Sequence, residues 1–277
     1  MRKKLFLIFP IVLILILSIS MLFACSTENT ERTTTKTVMS GPIDPTEDST
    51  FNITSISVLD SLDPIKFGKY PQTINSSIAV SQDKKSNGYY LGVDKNYYAL
   101  KKGSYYKVED IVWDAFRLES GDILLVSQKI LYSVRYDNFH DYFDDQMQII
   151  DEKGFIFSEE ESAKIKDTKV SYEYSLALRA NVTTKMFFLT MDEIQSIYPS
   201  ASKVLKAGTD YAKINLEVSD YGYSTWWIAP SKGKNYYVSL TGTFSNKSNT
   251  TIQTINGDSK IQYTYRGFVP AIIISNN

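Results

Sequence analysis

The chain has almost none of the residues that build covalent, metal or imidazole-based sites. Its 277 residues include one cysteine, Cys25, and one histidine, His140. The single cysteine excludes an intrachain disulfide and a cysteine-based zinc cluster. The single histidine excludes any site that needs two imidazoles. The chain also has no excess of charge, with 30 Lys and Arg against 31 Asp and Glu, so its composition argues against a nucleic-acid partner.

Apolar residues are present in the amounts that a folded protein needs. Hydrophobic residues make up 43% of the chain and aromatic residues 13%, with 20 tyrosines among them. Such a chain can bury enough apolar surface to form a core. Its composition therefore excludes a wholly disordered protein.

The first residues predict an export signal. Arg2, Lys3 and Lys4 precede an uncharged apolar run at residues 5–17. The run has about 13 residues, whereas a helix needs about 20 to cross a membrane, so it fits the hydrophobic region of a secretory signal. The alternative is an uncleaved membrane anchor whose apolar run continues to Ala24.

A cysteine follows this run directly. Leu22, Phe23, Ala24 and Cys25 resemble the lipobox of bacterial lipoproteins, and this resemblance implies a diacylated mature N-terminal cysteine. We therefore expect residues 1–24 to be a signal peptide and Cys25 to carry the lipid, as palmitate-type acyl chains. The protein would then lie on the extracellular side of the cell membrane.

The charge of the remaining chain bears on how it is held there. Removing residues 1–24 would take away three basic residues and no acidic one, which leaves 27 Lys and Arg against 31 Asp and Glu. A mildly acidic surface is not attracted to anionic lipids. The lipid anchor would therefore be the protein's contact with the membrane.

Composition divides the rest of the chain into two parts. Residues 25–51 are rich in Thr, Ser, Glu, Asp and Pro and predict a flexible tether, because few of them can be buried to offset the entropy of ordering. Residues 52–277 predict a single extracytoplasmic domain.

Short runs of β-branched and aromatic residues between turn-forming residues predict mostly strands in this domain. These runs are 65–70, 89–93, 97–101, 112–118, 122–131, 186–189, 225–229, 236–241, 261–265 and 271–274. The runs on either side of Glu119, Ser120 and Gly121 predict an antiparallel hairpin, with Gly121 in the turn. The last run is entirely apolar and predicts a central strand buried on both faces.

Two capping boxes predict helices. Ser158 is followed three residues later by Glu161, and Thr190 by Glu193, the spacing in which hydroxyl and carboxylate satisfy each other's backbone amides. Acidic residues in the first turn also favour the helix dipole, so the acidic cluster at 159–161 is interpreted as helix chemistry. The predicted class is α+β, a mostly antiparallel sheet with a few short helices.

The order of these signals resembles a bacterial domain-of-unknown-function family, number 6273. The motifs that carry the resemblance are 65–73 (IKFGKYPQT), 111–113 (IVW), 122–127 (DILLVS), 157–161 (FSEEE), 188–193 (FLTMDE), 209–212 (TDYA), 226–228 (WWI) and 267–271 (GFVPA). They span nearly the whole domain. The resemblance implies a fold similar to C-type lectins, without the calcium-binding triplets of true lectins.

The chain departs from that family at two customary arginines. Ala229 and Val269 stand at those positions, and Arg266 is a candidate substitute for the missing arginines. If those arginines form a polar or ligand-binding cluster in relatives, this chain has lost it.

The aromatic residues are the candidate ligand-binding residues. Adjacent tyrosines in a strand face opposite sides of the sheet, so one of each pair is expected to point outward. An outward aromatic platform for sugar rings or peptide would include Tyr90, Tyr98, Tyr106, Trp226, Trp227 and Tyr237. The alternative is ordinary cross-strand packing, and we expect Trp113 and at least one of Trp226 and Trp227 in the core.

Other chemistry is less well supported. His140 with Asp141, Asp144 and Asp145 could hold a cation, but a solvated charged segment explains these residues better. No serine lies in a nucleophile motif, so we expect no catalytic residue, metal or cofactor. The leading hypothesis is a lipid-anchored binding module for cell-wall glycan or another surface protein. The alternative is an extracytoplasmic enzyme acting on cell-wall or glycan material.

Overall fold

The computed structural model describes residues 51–52, 56–85, 88–135, 156–173, 179–231, 234–246, 250–255, 258–263 and 265–276. All of them belong to one compact unit, Asp48–Asn277. Cys25, the predicted signal peptide, all of the predicted tether except Phe51, and His140 with Asp141, Asp144 and Asp145 lie outside the described residues.

The described residues form mostly strands with four short helices. The strands, β1 to β20, are Phe51–Asn52, Val58–Ile74, Val80–Lys84, Tyr90–Gly92, Tyr97–Lys101, Ser104–Leu118, Ile123–Ser127, Lys129–Ile130, Tyr132–Arg135, Thr168–Glu173, Arg179–Thr184, Lys206–Gly208, Tyr223–Ser224, Trp226–Trp227, Tyr237–Val238, Phe244–Ser245, Thr250–Ile255, Asp258–Tyr263, Tyr265–Phe268 and Ala271–Ile274. The helices, α1 to α4, are Glu159–Lys164, Met191–Ile197, Ala201–Val204 and Asp210–Lys213. The predicted α+β class with a mostly antiparallel sheet is confirmed.

The long strand β6 organises the largest sheet, which has seven strands. Along one edge β6 pairs with β2, and its other edge is shared between β5 near its beginning and β7 near its end. The order runs β20-β7-β6-β5-β4-β3, with every pairing antiparallel. Apolar side chains of β6 and β7 meet in the core, with Trp113, Ala115, Leu124 and Leu125 fully buried.

The predicted hairpin is confirmed. Strands β6 and β7 pair antiparallel from Trp113 opposite Ser127 to Arg117 opposite Ile123. Gly121 adopts a φ of +86° in the turn, a conformation that disfavours residues with a Cβ. The second predicted strand is shorter than expected, because the chain leaves this sheet after Ser127 and β8 pairs with β12 instead.

The prediction that the run 271–274 forms a central, buried strand is confirmed for its burial and wrong for its position in the sheet. All four of its residues are buried, as the apolar run predicted. The strand is nevertheless the last in its sheet, not a central one, because β7 is the only one of the described strands that pairs with it. Backbone hydrogen bonds with Phe187 and Lys166 cover its other edge, so this edge is closed without a further strand.

The predicted strand at 186–189 is wrong. Phe187 makes only an isolated bridge to Ala271, and the segment leads into α2. Its side chains are buried all the same, because the segment packs against the open edge of β20. Burial explains the apolar run here, and strand pairing does not.

The smaller sheets contain the parallel pairings. A five-stranded sheet has the order β16-β15-β14-β19-β9, in which β14 and β19 are parallel. Three-stranded sheets join β13-β12-β8 and β1-β10-β11, and β17 pairs with β18. The five-stranded sheet contains both adjacent tryptophans.

Both predicted capping boxes are confirmed. The Ser158 and Thr190 side chains accept hydrogen bonds from the backbone amides of Glu161 and Glu193, and each glutamate accepts one from its cap residue's amide. Glu161 accepts a second hydrogen bond, from the Gly68 amide, so this cap also fastens α1 to β2. No helix within the described residues is long and apolar enough to cross a membrane.

All three tryptophans lie in the core, which confirms the prediction for Trp113 and extends it to both members of the pair. Trp113, Trp226 and Trp227 are at most 2% exposed. Their indole nitrogens donate to the carbonyl oxygens of Phe67, Val204 and Val134, respectively. A buried indole is stabilised when its one polar group is satisfied in this way.

Candidate functional site

Most of the predicted aromatic platform is buried. Tyr90 is partly exposed and packs edge-on against Tyr105 at 5.7 Å between ring centroids. The other five candidates are buried: Tyr98, Tyr106, Trp226, Trp227 and Tyr237. The prediction of an exposed platform is therefore wrong for these five side chains.

The reason lies in which side of each strand faces the core. The tyrosine pairs alternate as predicted, since Tyr97 is 42% exposed and Tyr98 is 0% exposed. The inward members, however, are Tyr98, Tyr106 and Tyr237, which were predicted to point outward. Trp226 and Trp227 alternate too, but both faces of their strand are covered. The first indole donates to Val204 of α3, and the second to Val134 of β9.

One tyrosine-rich cluster surrounds a lysine at the end of β5, and we call it the Lys101 cluster: Lys101, Tyr70, Tyr106, Tyr132 and Tyr211. The Lys101 ammonium lies 4.0 Å from the ring centroid of Tyr211 and 4.9 Å from that of Tyr132. It donates a hydrogen bond of 3.1 Å to the Tyr211 carbonyl oxygen. Tyr70 and Tyr106 pack edge-on against the Tyr211 ring.

This position follows from the turn that joins β5 and β6. Lys102 and Gly103 both have positive φ angles, of 48° and 78°, as a two-residue hairpin turn of this type requires. The tight turn brings the end of the hairpin against α4, the helix that contains Tyr211. Lys102 then donates to the Asn215 side chain just beyond α4.

Among the described residues, the cation of the Lys101 cluster has no counter-ion. Burial and the neighbouring Lys102 charge lower the pKa of Lys101 to about 8. Burial and neighbouring phenols raise the pKa of Tyr211 to about 12, so the phenol stays neutral at physiological pH. No carboxylate within the described part of the chain forms an ion pair with Lys101. The cluster is half-buried and combines aromatic faces with one unneutralised cation.

A second buried cation lies in the five-stranded sheet, in what we call the arginine slot: Arg266, Trp227 and Tyr237. The guanidinium carbon lies 4.5 Å from the Trp227 ring centroid and 3.8 Å from that of Tyr237. The pairing register places these side chains on one face of the sheet, since Trp227 pairs with Tyr237 and β19 runs parallel beside β14. Trp227 and Tyr237 are two of the predicted ligand-binding residues, and Arg266 is the candidate substitute for the arginines that are customary in the resembled family.

A third buried cation is fully paired. The Lys206 ammonium lies 2.8 Å from an Asp114 carboxylate oxygen and donates to the Tyr198 hydroxyl at 3.0 Å. Tyr198 and Gln128 also donate to Asp114, at 2.5 Å and 2.8 Å. We call these four residues the Asp114 network. Each charged group in it has a partner, so the network is explained by its structural role of joining β6 to α2 and β12.

The pKa shifts in the Asp114 network follow from burial and pairing. Burial lowers the pKa of Lys206 more than Asp114 raises it, because the lysine side chain is only 4% exposed. Burial alone would raise the pKa of Asp114. The Lys206 charge and the hydrogen bonds from Lys206, Tyr198 and Gln128 outweigh that effect and hold it below its usual range.

The chain was also compared with known proteins. No protein-family model, no curated protein and no solved structure matches the chain. Within the described residues, no group of three or more His, Cys, Asp or Glu side chains could hold a metal ion.

Sequence reasoning missed the cations at two of these three places. Lys101 ends the predicted strand 97–101, and Lys206 lies in no predicted strand. Nothing in their neighbours along the chain distinguishes them from surface lysines. Arg266 was noticed only through a family pattern. Each of the three cations has at least one partner that lies far away in the chain, namely Tyr211 for Lys101, Asp114 for Lys206 and Trp227 for Arg266, so local sequence signals did not identify these sites.

Proposed function

We propose that the protein is a lipoprotein, held at the outer face of the cell membrane through Cys25, whose domain is a non-catalytic binding module. The charged start, the short apolar run and the lipobox-like residues 22–25 support the anchor. Two acyl chains hold a protein stably where one holds it only marginally.

The proposal includes the family and the fold. The motifs between residues 65 and 271 support membership of family 6273. The mostly antiparallel sheets with few short helices are compatible with the C-type-lectin-like fold that the resemblance implies, which stays a proposal. Fold alone does not define a ligand.

The Lys101 cluster is the observation that carries the binding function. Tyrosine faces can pack against the apolar faces of sugar rings, and an unneutralised ammonium can pair with a carboxylate or phosphate. Lys101, Tyr132 and Tyr211 are all partly exposed, so a ligand can reach them. The ligand we propose is therefore an acidic cell-wall glycan.

A binding experiment with matched lysines tests this proposal. Purified full-length protein in detergent is titrated with acidic and neutral cell-wall glycan fragments, and both binding and turnover are measured. We expect acidic fragments to bind, and Lys101→Met to weaken binding at least tenfold. The adjacent Lys102→Met serves as the control and should change binding little. Equal effects of the two variants would contradict the proposal, and turnover of the fragments would favour the enzyme alternative.

The anchor is tested separately. Cells that produce the protein are labelled with a radioactive fatty acid, and Cys25→Ala is compared with the unchanged chain. We expect label only in the unchanged chain and an unprocessed precursor in the variant. Label retained in Cys25→Ala, or a mature N-terminus at Met1, would rule out this anchor.

A further inference from the structure

The arginine slot has a property that the other buried cations lack. Arg266 is only 7% exposed, and its Nε and Nη1 atoms are both buried without any hydrogen-bond partner. Guanidinium groups buried in proteins are normally paired, because losing water without a replacement partner is strongly unfavourable. Most buried polar groups in folded proteins have a partner. These two nitrogens therefore require an explanation.

The two aromatic rings do not supply the missing hydrogen bonds. Trp227 and Tyr237 have the guanidinium over their faces, where attraction acts through the ring electrons. The N–H groups of a guanidinium lie in its own plane and need acceptors in that plane. The rings thus position and partly stabilise the cation, and the Tyr237 side chain also forms a hydrogen bond with it. The Nε and Nη1 donors stay unsatisfied.

The described residues also do not neutralise the charge of Arg266. Burial lowers the pKa of Arg266, and the opposing effects of Tyr237 and Glu217 are smaller. No carboxylate in the described part of the chain forms an ion pair with this guanidinium. Only an acceptor that carries negative charge would satisfy both the charge and the donors.

We propose that the arginine slot binds a carboxylate, in the plane of the Arg266 guanidinium and bordered by Trp227 and Tyr237. A carboxylate carries one negative charge, and each of its oxygens can accept a hydrogen bond from Nε or from Nη1. This inference goes beyond the acidic-glycan site, because it concerns other residues, and it does not depend on the lipid anchor. The carboxylate could belong to a small free acid or to a peptide C-terminus.

Trp227 can report on binding in the arginine slot, and the substitution Arg266→Met can test the role of its charge. Trp227 borders the cation, so its fluorescence should respond when a carboxylate enters. Arg266→Met removes the unpaired charge and keeps much of the side-chain volume. An unpaired buried cation destabilises the protein when no carboxylate is bound. We therefore expect Arg266→Met to melt at the same temperature as the unchanged chain, or higher, in carboxylate-free buffer.

The experiment titrates full-length protein with sodium acetate against sodium chloride at constant ionic strength, recording tryptophan fluorescence and melting temperature. A short uncharged peptide with a free C-terminus, compared with its amide, distinguishes the two sources. We expect a saturable response to acetate, to the free-acid peptide or to both, lost in Arg266→Met. The matched control Arg117→Met, which alters an exposed arginine paired with Asp60, should keep the response.

Each outcome decides the proposal. A response to acetate and not to the peptide assigns a small acid, and a response to the free-acid peptide alone assigns a peptide C-terminus. No response to either probe, or an equal response in Arg266→Met, overturns the inference. If Arg266→Met fails to fold, Arg266→Lys is used, because it keeps the charge but not the planar fork and should weaken binding at least tenfold. An unchanged affinity in Arg266→Lys also overturns it.

Discussion

Lys206 and Arg266 are both buried cations, and their surroundings differ in one respect. Lys206 has a carboxylate at 2.8 Å and a tyrosine hydroxyl at 3.0 Å. Arg266 has two aromatic rings but no acceptor for its Nε and Nη1 atoms. The comparison teaches that burial of a charge does not by itself indicate its role. A cation whose donors are all satisfied stabilises the fold, whereas one with unsatisfied donors is a candidate for binding.

The largest loss of stability is expected when Trp227 in the arginine slot is replaced. Trp227→Ala should lower the free energy of unfolding by about 3–5 kcal/mol, because it leaves a cavity in the core and takes one ring from Arg266. Denaturant unfolding measures this change. Tyr221→Ala is the control, since that ring is 87% exposed, and it should have almost no effect. A near-neutral Trp227→Ala would mean that the slot is not part of the core.

Breaking the pair in the Asp114 network should have a smaller effect. Asp114→Ala leaves the Lys206 ammonium buried without its counter-ion, and we expect a loss of about 3 kcal/mol, because the aspartate is partly exposed. Asp110→Ala removes a carboxylate that pairs only with exposed lysines and serves as the control. Equal losses in the two variants would show that burial of the pair is unimportant.

Removing the cations should change the free energy of unfolding differently in the Asp114 network and in the arginine slot. Lys206→Met is expected to lower the free energy of unfolding by about 1–2 kcal/mol, because it removes hydrogen bonds to a charged partner. Arg266→Met should leave it unchanged or raise it in the absence of carboxylates. Both are measured by chemical denaturation in the same buffer. The same loss in both variants would remove the distinction between a structural and a binding cation.

Acid titration should show the contribution of the Asp114 network when the unchanged chain is compared with Asp114→Asn. The folded-state pKa of Asp114 is lowered, so its contribution is present above the unfolded value of about 3.9 and is lost as pH falls through the folded value. Below about pH 4 the unchanged chain should therefore lose stability more steeply than Asp114→Asn, by at most about 1.4 kcal/mol per pH unit. Parallel curves for the two proteins would contradict this assignment.

The smallest effect concerns the Lys101 amine. Its pKa of about 8 means that a large part of it is neutral at pH 8, whereas an ordinary lysine with a pKa near 10.4 is almost fully protonated. Competitive labelling with acetic anhydride, read by mass spectrometry, should give a reactivity midpoint near pH 8 for this residue. A midpoint above pH 10 would show that the Lys101 cluster does not perturb the amine.

Local signals in the chain were sufficient for several elements. The two capping boxes at Ser158 and Thr190 depend on residues three apart, and both helices begin where they predict. The hairpin turn at Gly121 depends on one residue that tolerates a positive φ. Interactions of this kind act within one turn of chain, so the residues themselves specify them.

Position in a sheet was less predictable. The apolar run 271–274 correctly predicted burial but not that β20 is the last strand, because loops can cover a strand as completely as another strand does. The run at 186–189 was buried for the same reason without becoming a strand. An apolar run predicts that a segment is buried, but it does not predict whether a strand, a helix or a loop covers the segment.

The sequence by itself determined that the tyrosine pairs alternate, where two helices begin and that a core with tryptophans forms. Only the tertiary structure decided that Tyr98, Tyr106 and Tyr237 are the inward members, and which buried cation finds an acceptor. Asp114 and Lys206 are 92 residues apart in the chain, and the rings beside Arg266 come from two other strands. Alternation is a property of one strand, whereas the covered face and the satisfaction of a buried charge depend on distant residues that only folding brings together.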